Sequence, residues 1–363
     1  MRNHAHLLRR LLPFIVLASI APSVCAAVSY QVTDLGLLGN SIGGYQVNNA
    51  GQVTGSISKN GQPHAFLYSN GTVTDLGALG GSESAGFDIN GSGQVVGYFR
   101  NNAGNHGFLY SNGTATAMTS PLATVINSAH GINDAGQITG MVSNANTSEM
   151  RGYIYDNGTL TYLGTLGGAT SSGLDINNVG QVTGGADTAN GQTHAFLYSN
   201  GTMTDLGTLG GGTYSVGWRI NDAAQVAGDF RTAGGDTRAF LYSGSTMIDL
   251  GTLNGGTYST ARGINDSGQV VGNTDCGNSL GCAFIYGNGS MTDLNSLIDP
   301  ASGWALRFAS GINDAGQITG WGTLNGVKHI FLLTPVPEPT TWGLMLAGLG
   351  LIGAVARRRR QHQ

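Results

Sequence analysis

The residues able to do chemistry in this chain are few, and most of them recur. Histidine heads His64-Ala65-Phe66-Leu67-Tyr68 and recurs at His106 and His194, which invites a ring of metal ligands. Arg151, Arg238 and Cys282 stand at the same place in other copies, and zinc needs three or four donors converging on one point. Successive repeats spread equivalent atoms around a ring, so these side chains are expected to hydrogen-bond within the fold. Asp88-Ile89-Asn90-Gly91-Ser92-Gly93 and Asp175-Ile176-Asn177 have the opening of a calcium loop, but the closing bidentate carboxylate is absent. An Asx-stabilised turn accounts for them. Asp34, Asp75, Asp205, Asp249 and Asp293 repeat too, whereas a catalytic carboxylate pair is singular and unequally tuned. With no His-Glu-x-x-His helix and no phosphate loop, the sequence nominates no catalytic residue, metal site or cofactor.

Non-repeating residues are the better candidates for contact with a partner. Tyr214, Trp218, Arg219, Tyr258 and Arg262 fall in or beside glycine-rich segments expected opposite the tight turns, and variable connections on a rigid scaffold commonly carry binding. An enzymatic alternative, a glycoside hydrolase or lyase, would draw its acids from Glu83, Glu149, Asp187 and Asp229. It requires two of them about 5 to 9.5 Å apart in a cleft. Cys276 and Cys282, close together in a glycine-rich loop, are expected to form a local disulfide in an oxidising compartment.

The elements that would position these residues follow from a repeat. The phrase Val47-Asn48-Asn49-Ala50-Gly51-Gln52-Val53-Thr54-Gly55 recurs with its asparagine at Asn90, Asn133, Asn177, Asn221, Asn265 and Asn313, about 44 residues apart. That period suits one four-stranded propeller blade. Asn-Gly at Asn70, Asn112, Asn157, Asn200 and Asn288 marks hairpins, because a type I′ turn needs φ > 0 at both central residues. Phe66 and Tyr68 share one strand face, Ala65 and Leu67 the other, so the sheet is covered on both sides. The chain opens with a lone strand near Tyr30–Gly36 and ends with another near Lys328–Leu333. The reading is all-β: a seven-bladed β-propeller over residues 28–334, closed by the N-terminal strand, with no sheet edge left open.

Both ends read as targeting. Residues 1–27 give Arg9-Arg10, an apolar run and Cys25-Ala26-Ala27, the order of a secretory signal peptide for the Sec export machinery. Residues 335–363 run from a proline-rich spacer, Pro335-Val336-Pro337-Glu338-Pro339, into an apolar segment at 342–356 and then Arg357, Arg358, Arg359 and Arg360. The apolar segment is expected to form one transmembrane helix, with the arginines retained on the cytoplasmic side as a stop-transfer. Between these ends stand nine basic and 19 acidic residues, a net of about −10, which excludes a nucleic-acid or anionic-lipid footprint.

Pro337-Glu338-Pro339, the apolar helix and the arginine cluster together resemble the PEP-CTERM sorting signal. The resemblance implies processing by an exosortase, a transient stay in the inner membrane with the body outside, and delivery to the cell surface or beyond. The repeated His-Ala-Phe-Leu-Tyr resembles the HAF-repeat family of extracellular bacterial proteins. On these grounds the expected function is a non-catalytic, surface-sorted propeller that binds or organises matrix material, polysaccharide above all.

Overall fold

Asparagine-rich turns set the strand order. In the computed structural model, which describes residues 29–38, 45–119, 125–143, 149–276 and 281–337, Asn70 and Gly71 have φ of 50° and 80°. They fold strand Gln62–Ser69 back onto Thr72–Gly77. The pairs at Asn112, Asn157, Asn200 and Asn288 do the same, and Gly244-Ser245 reaches positive φ with the order reversed. A second kind of turn follows each repeated asparagine: the Asn48 Oδ1 accepts from the N–H of Ala50 (3.1 Å) and Gln52 (2.9 Å), turning the chain between the first and second strands.

The expectation of seven separate blades needs correction. Among the described residues five sheets are four-stranded, while the strands from Gly167–Ile176 to Thr246–Gly251 form a single eight-stranded sheet. The junction is one parallel pairing, Thr193 with Tyr214, between the third strand of one repeat and the first strand of the next. The equivalent contact one repeat later, Thr237 with Tyr258, stays an isolated bridge. The two sheets merge because the strand Tyr214–Ile220 already begins at its bridging residue. The rest is as a β-propeller requires: antiparallel strands, with the N-terminal strand Ser29–Leu37 laid against Val327–Val336 so that Val32 faces Leu333.

The core lies between neighbouring sheets. Ala65 of one repeat packs with Ile89, Val95, Phe99 and Phe108 of the next. Each second strand carries a glycine, and at all but Gly55 an added Cβ would meet a carbonyl of the first strand. A Cβ on Gly184 would sit 1.9 Å from the Ser172 carbonyl and 3.1 Å from the Phe196 ring, because the first strand bulges between Gly173 and Asp175.

Helical structure among the described residues is confined to three short 3-10 turns, and no helix there is long and apolar enough to cross a membrane. The transmembrane helix expected at 342–356 therefore has no counterpart among them. That segment, the signal peptide, Glu338, Pro339 and Arg357–Arg360 lie outside the described residues.

Candidate functional site

The repeated asparagines form a closed ring at the axis. Each Nδ2 donates to the main-chain carbonyl of the next, from Asn48 to Asn90 (2.8 Å) through to Asn265 with Asn313 (3.1 Å), and Asn313 closes on Asn48 (2.9 Å). All seven are buried. The invariant frame fixes a variable position: three residues before the ring asparagines stand Tyr45, Phe87, His130, Leu174, Trp218, Arg262 and Ser310. Six of these line one axial cavity of about 510 Å³, together with Gln46, Arg219, Phe308 and Trp321. Tyr45 instead turns into the core, its hydroxyl donating to the Ser56 carbonyl at 3.3 Å.

Of the five residues nominated from sequence, the cavity gathers Trp218, Arg219 and Arg262. Tyr214 and Tyr258 sit farther out at the inter-repeat pairings, Tyr214 beneath Arg231 with 5.6 Å from guanidinium to ring centroid. Phe87, His130, Leu174, Phe308, Ser310 and Trp321 escaped the sequence reading. Their signal was non-repetition at a fixed place in a repeated phrase, where packing alone would favour repetition.

A carboxylate beside the cavity orders its wall. Asp229, itself buried, accepts from the Trp218 indole N–H and the Thr260 hydroxyl (2.8 Å), and lies 3.9 Å from the Arg262 guanidinium. Arg262 in turn covers the Trp218 ring at 3.9 Å, a cation–π contact. Arg219 donates to the carbonyls of Trp218 (3.0 Å) and Leu174 (3.5 Å). With Gln46 it also borders a second axial cavity of about 210 Å³, which holds Asp88, Asp175 and the asparagine ring. These two side chains therefore stand where the apolar and polar halves of the axis meet.

Burial dominates the titration of the groups around that waist. Asp88 is pushed up to about 7 by burial and then by Asp175, against the pull of Arg219 and of the Ile132 N–H (2.8 Å). Asp175 is raised by burial as well, although it accepts from the N–H of Ile220 (2.9 Å) and Ile176 (3.0 Å). His130 is lowered to about 4 by burial and by Arg219, so it is neutral at physiological pH.

The recurring side chains support the fold. His64, His194 and His329 pair through Nδ1 with Asp75 (3.0 Å), Asp205 (2.9 Å) and Asp34 (2.9 Å), and each aspartate also accepts from a glycine N–H two residues on. At the polar mouth the N–H of Asp222, Asp266 and Asp314 donates to the side chain of the next repeat. Among the described residues, no three His, Cys, Asp or Glu side chains are grouped to hold a metal ion. The carboxylates weighed for hydrolysis each have partners within the fold: Glu83 with Arg100 and Tyr98, Glu149 with Arg151, Asp187 with Thr170 and Thr193, Asp229 with Trp218.

Cys276 and Cys282 are bonded to each other, their Cα atoms 5.9 Å apart. The loop between them spells Gly277-Asn278-Ser279-Leu280-Gly281, the Gly-x-Ser-x-Gly pattern. It joins two antiparallel strands, Val270–Thr274 and Cys282–Gly287, whereas a nucleophile elbow leads from a strand into a helix.

Comparison with known proteins bears on the tail and on the fold. Residues 335–360 match the PEP-CTERM protein-sorting motif. The chain carries this sorting motif. It marks the protein for export and surface sorting and implies an exosortase as its processing partner. No curated protein sequence matches the chain. Among solved structures, YCF48 bound to D1 peptide is similar at 11% identity and a TM-score of 0.50, covering 86% of this chain and 96% of that one. TolB from Acinetobacter baumannii is similar at 12% identity and a TM-score of 0.49; 79% of this chain is covered, and only 64% of TolB. At 11% identity the likeness to YCF48 concerns the fold alone.

Proposed function

We propose that this is a non-catalytic propeller of the HAF-repeat kind, exported through the Sec machinery and held briefly in the inner membrane by residues 342–356. Once released at the surface, it binds matrix polysaccharide in the axial cavity. The observation that carries the reading is the composition of that cavity: Phe87, Trp218, Phe308 and Trp321 offer rings for sugar faces, and Arg219 and Arg262 add donors, all from positions the repeat leaves free to vary. A pocket of this size with apolar walls and a few convergent polar groups suits a small number of sugar units. Binding of the full-length chain, purified in detergent, to an array of bacterial exopolysaccharide fragments tests it. Trp218→Ala, shown by circular dichroism to remain folded, should lose the binding. Undiminished binding by that variant would place the glycan elsewhere.

A further inference from the structure

We infer that the cavity takes carboxylated sugars, the uronic-acid units of an acidic polysaccharide, and that Arg219 reads the carboxylate. The inference rests on the glycan reading above and names its ligand class. Most hydrogen-bonding groups in the cavity wall are already committed to the fold. Ser310 Oγ donates to the Tyr45 carbonyl (2.7 Å) and accepts from its N–H (3.1 Å). The Gln46 amide donates to the Ser310 carbonyl (2.8 Å), and the Trp218 N–H is held by Asp229. What remains is donor capacity on two guanidiniums, each with an Nε buried and without an acceptor.

The two arginines are not equivalent. Asp229 stands 3.9 Å from Arg262, and the face of Arg262 is taken by Trp218. Arg219 makes no ion pair within 4 Å among the described residues; its contacts are two main-chain carbonyls. Asp88 and Asp175, whose charges bear on it, point lone pairs at the N–H groups of Ile132, Ile176 and Ile220. A sugar hydroxyl both donates and accepts, so a donor-rich wall uses only half of its capacity. A carboxylate only accepts and matches a guanidinium fork with two parallel bonds. The body's net charge of about −10 does not overrule this contact, because charges beyond a Debye length of about 8 Å are screened at physiological salt while a partly buried pair is screened far less.

Isothermal titration of the full-length chain in detergent decides the matter, with the trimer of α-1,4-linked galacturonic acid against the neutral galactose trimer of the same linkage. The uronate should bind at least about ten-fold more tightly, and Arg219→Gln should remove the preference. Arg219→Lys, which keeps charge but loses the fork, should retain an intermediate preference and serves if the Gln variant is unfolded by circular dichroism. Equal affinity for the two trimers, with both lost in Trp218→Ala, would overturn the carboxylate inference and leave the glycan reading standing. A uronate preference unchanged in both Arg219 variants would overturn the role of Arg219. Binding of neither trimer would count against the carboxylate inference; binding of a neutral fragment on the array would then still uphold the glycan reading.

Discussion

Asn313 donates its side-chain amide to the main-chain carbonyl of Asn48, 265 residues earlier in the chain, at 2.9 Å. This bond completes a ring in which every repeat holds the next, so each asparagine supports both its own turn and its neighbour's position. Asn177 shows the load on one member: its Nδ2 donates to Asn221 O (3.0 Å) and Gln181 Oε1 (2.8 Å), while its Oδ1 accepts from the Gln181 N–H (2.8 Å). Asn177→Ala leaves the Gln181 N–H without its acceptor and the Asn221 carbonyl with only the Ala224 N–H (3.0 Å), at about 1–3 kcal/mol for an unsatisfied buried group. The melting temperature should fall by roughly 5 °C or more, since about 1 kcal/mol moves a domain of 150–250 residues by about 2–4 °C. Calorimetry showing no shift would mean the ring is decorative.

Ring closure also runs through the terminal sheet. Removing residues 29–36 strips the partner from Val327–Val336 and exposes Phe331 and Leu333, both fully buried in the intact protein. The shortened chain should aggregate on warming and be cut by protease near residue 330 at low enzyme concentration. A deletion variant with the parent's melting temperature and protease resistance would refute closure by this strand.

How much of this was legible beforehand depends on what each residue answers to. The turns were readable because Asn70-Gly71 and its equivalents need positive φ, a local demand written in two residues. The closing strand was readable because a lone strand at each end leaves pairing unsatisfied. The merged sheet was not readable, since it turns on whether one strand begins at Tyr214 or one residue later, which propensity does not set. The cavity was half readable: Trp218, Arg219 and Arg262 stand out by type, whereas Phe87, Leu174 and Phe308 look like core residues until the asparagine ring shows that their position faces the axis.

Asp88 gives the fold a pH dependence of definite sign. Its folded value of about 7 exceeds the ordinary 3.8, so between those values the folded protein holds a proton that the unfolded chain has released. Stability therefore falls as pH rises from about 4 to about 7 and then levels off. Asp175 is shifted in the same direction and adds to the slope. Asp88→Asn keeps an acceptor for the Ile132 N–H and should be more stable than the parent at pH 8, with a shallower slope below pH 7. Denaturant titrations at pH 5 and pH 8 that give parallel stabilities for parent and variant would contradict the assignment.

The disulfide closes a loop with only five residues between Cys276 and Cys282. Chain-entropy reasoning gives about 2 kcal/mol for so short a loop, below the ~3 kcal/mol of a 15-residue one. Reduction should lower the melting temperature by only a few degrees and leave the propeller folded. Peptide mapping without reductant should recover the two cysteines in one cross-linked fragment; two free thiols in protein taken from the cell exterior would count against the bond.

The sorting tail separates retention from recognition. Four arginines beyond the apolar segment are costly to translocate and should hold the precursor in the inner membrane, while Pro337-Glu338-Pro339 should be the sequence that the processing enzyme reads. Neutral replacements at Arg357, Arg358, Arg359 and Arg360 should weaken membrane retention and scramble topology. Alanine at Pro337, Glu338 and Pro339 should leave the chain inserted but uncut, so that fractionation with an antibody to the propeller finds full-length protein accumulating in the membrane. If the alanine variant instead leaves the membrane and matures at the normal rate in cells with an intact exosortase, these three residues are not the recognition element. The tail would then act as a plain anchor.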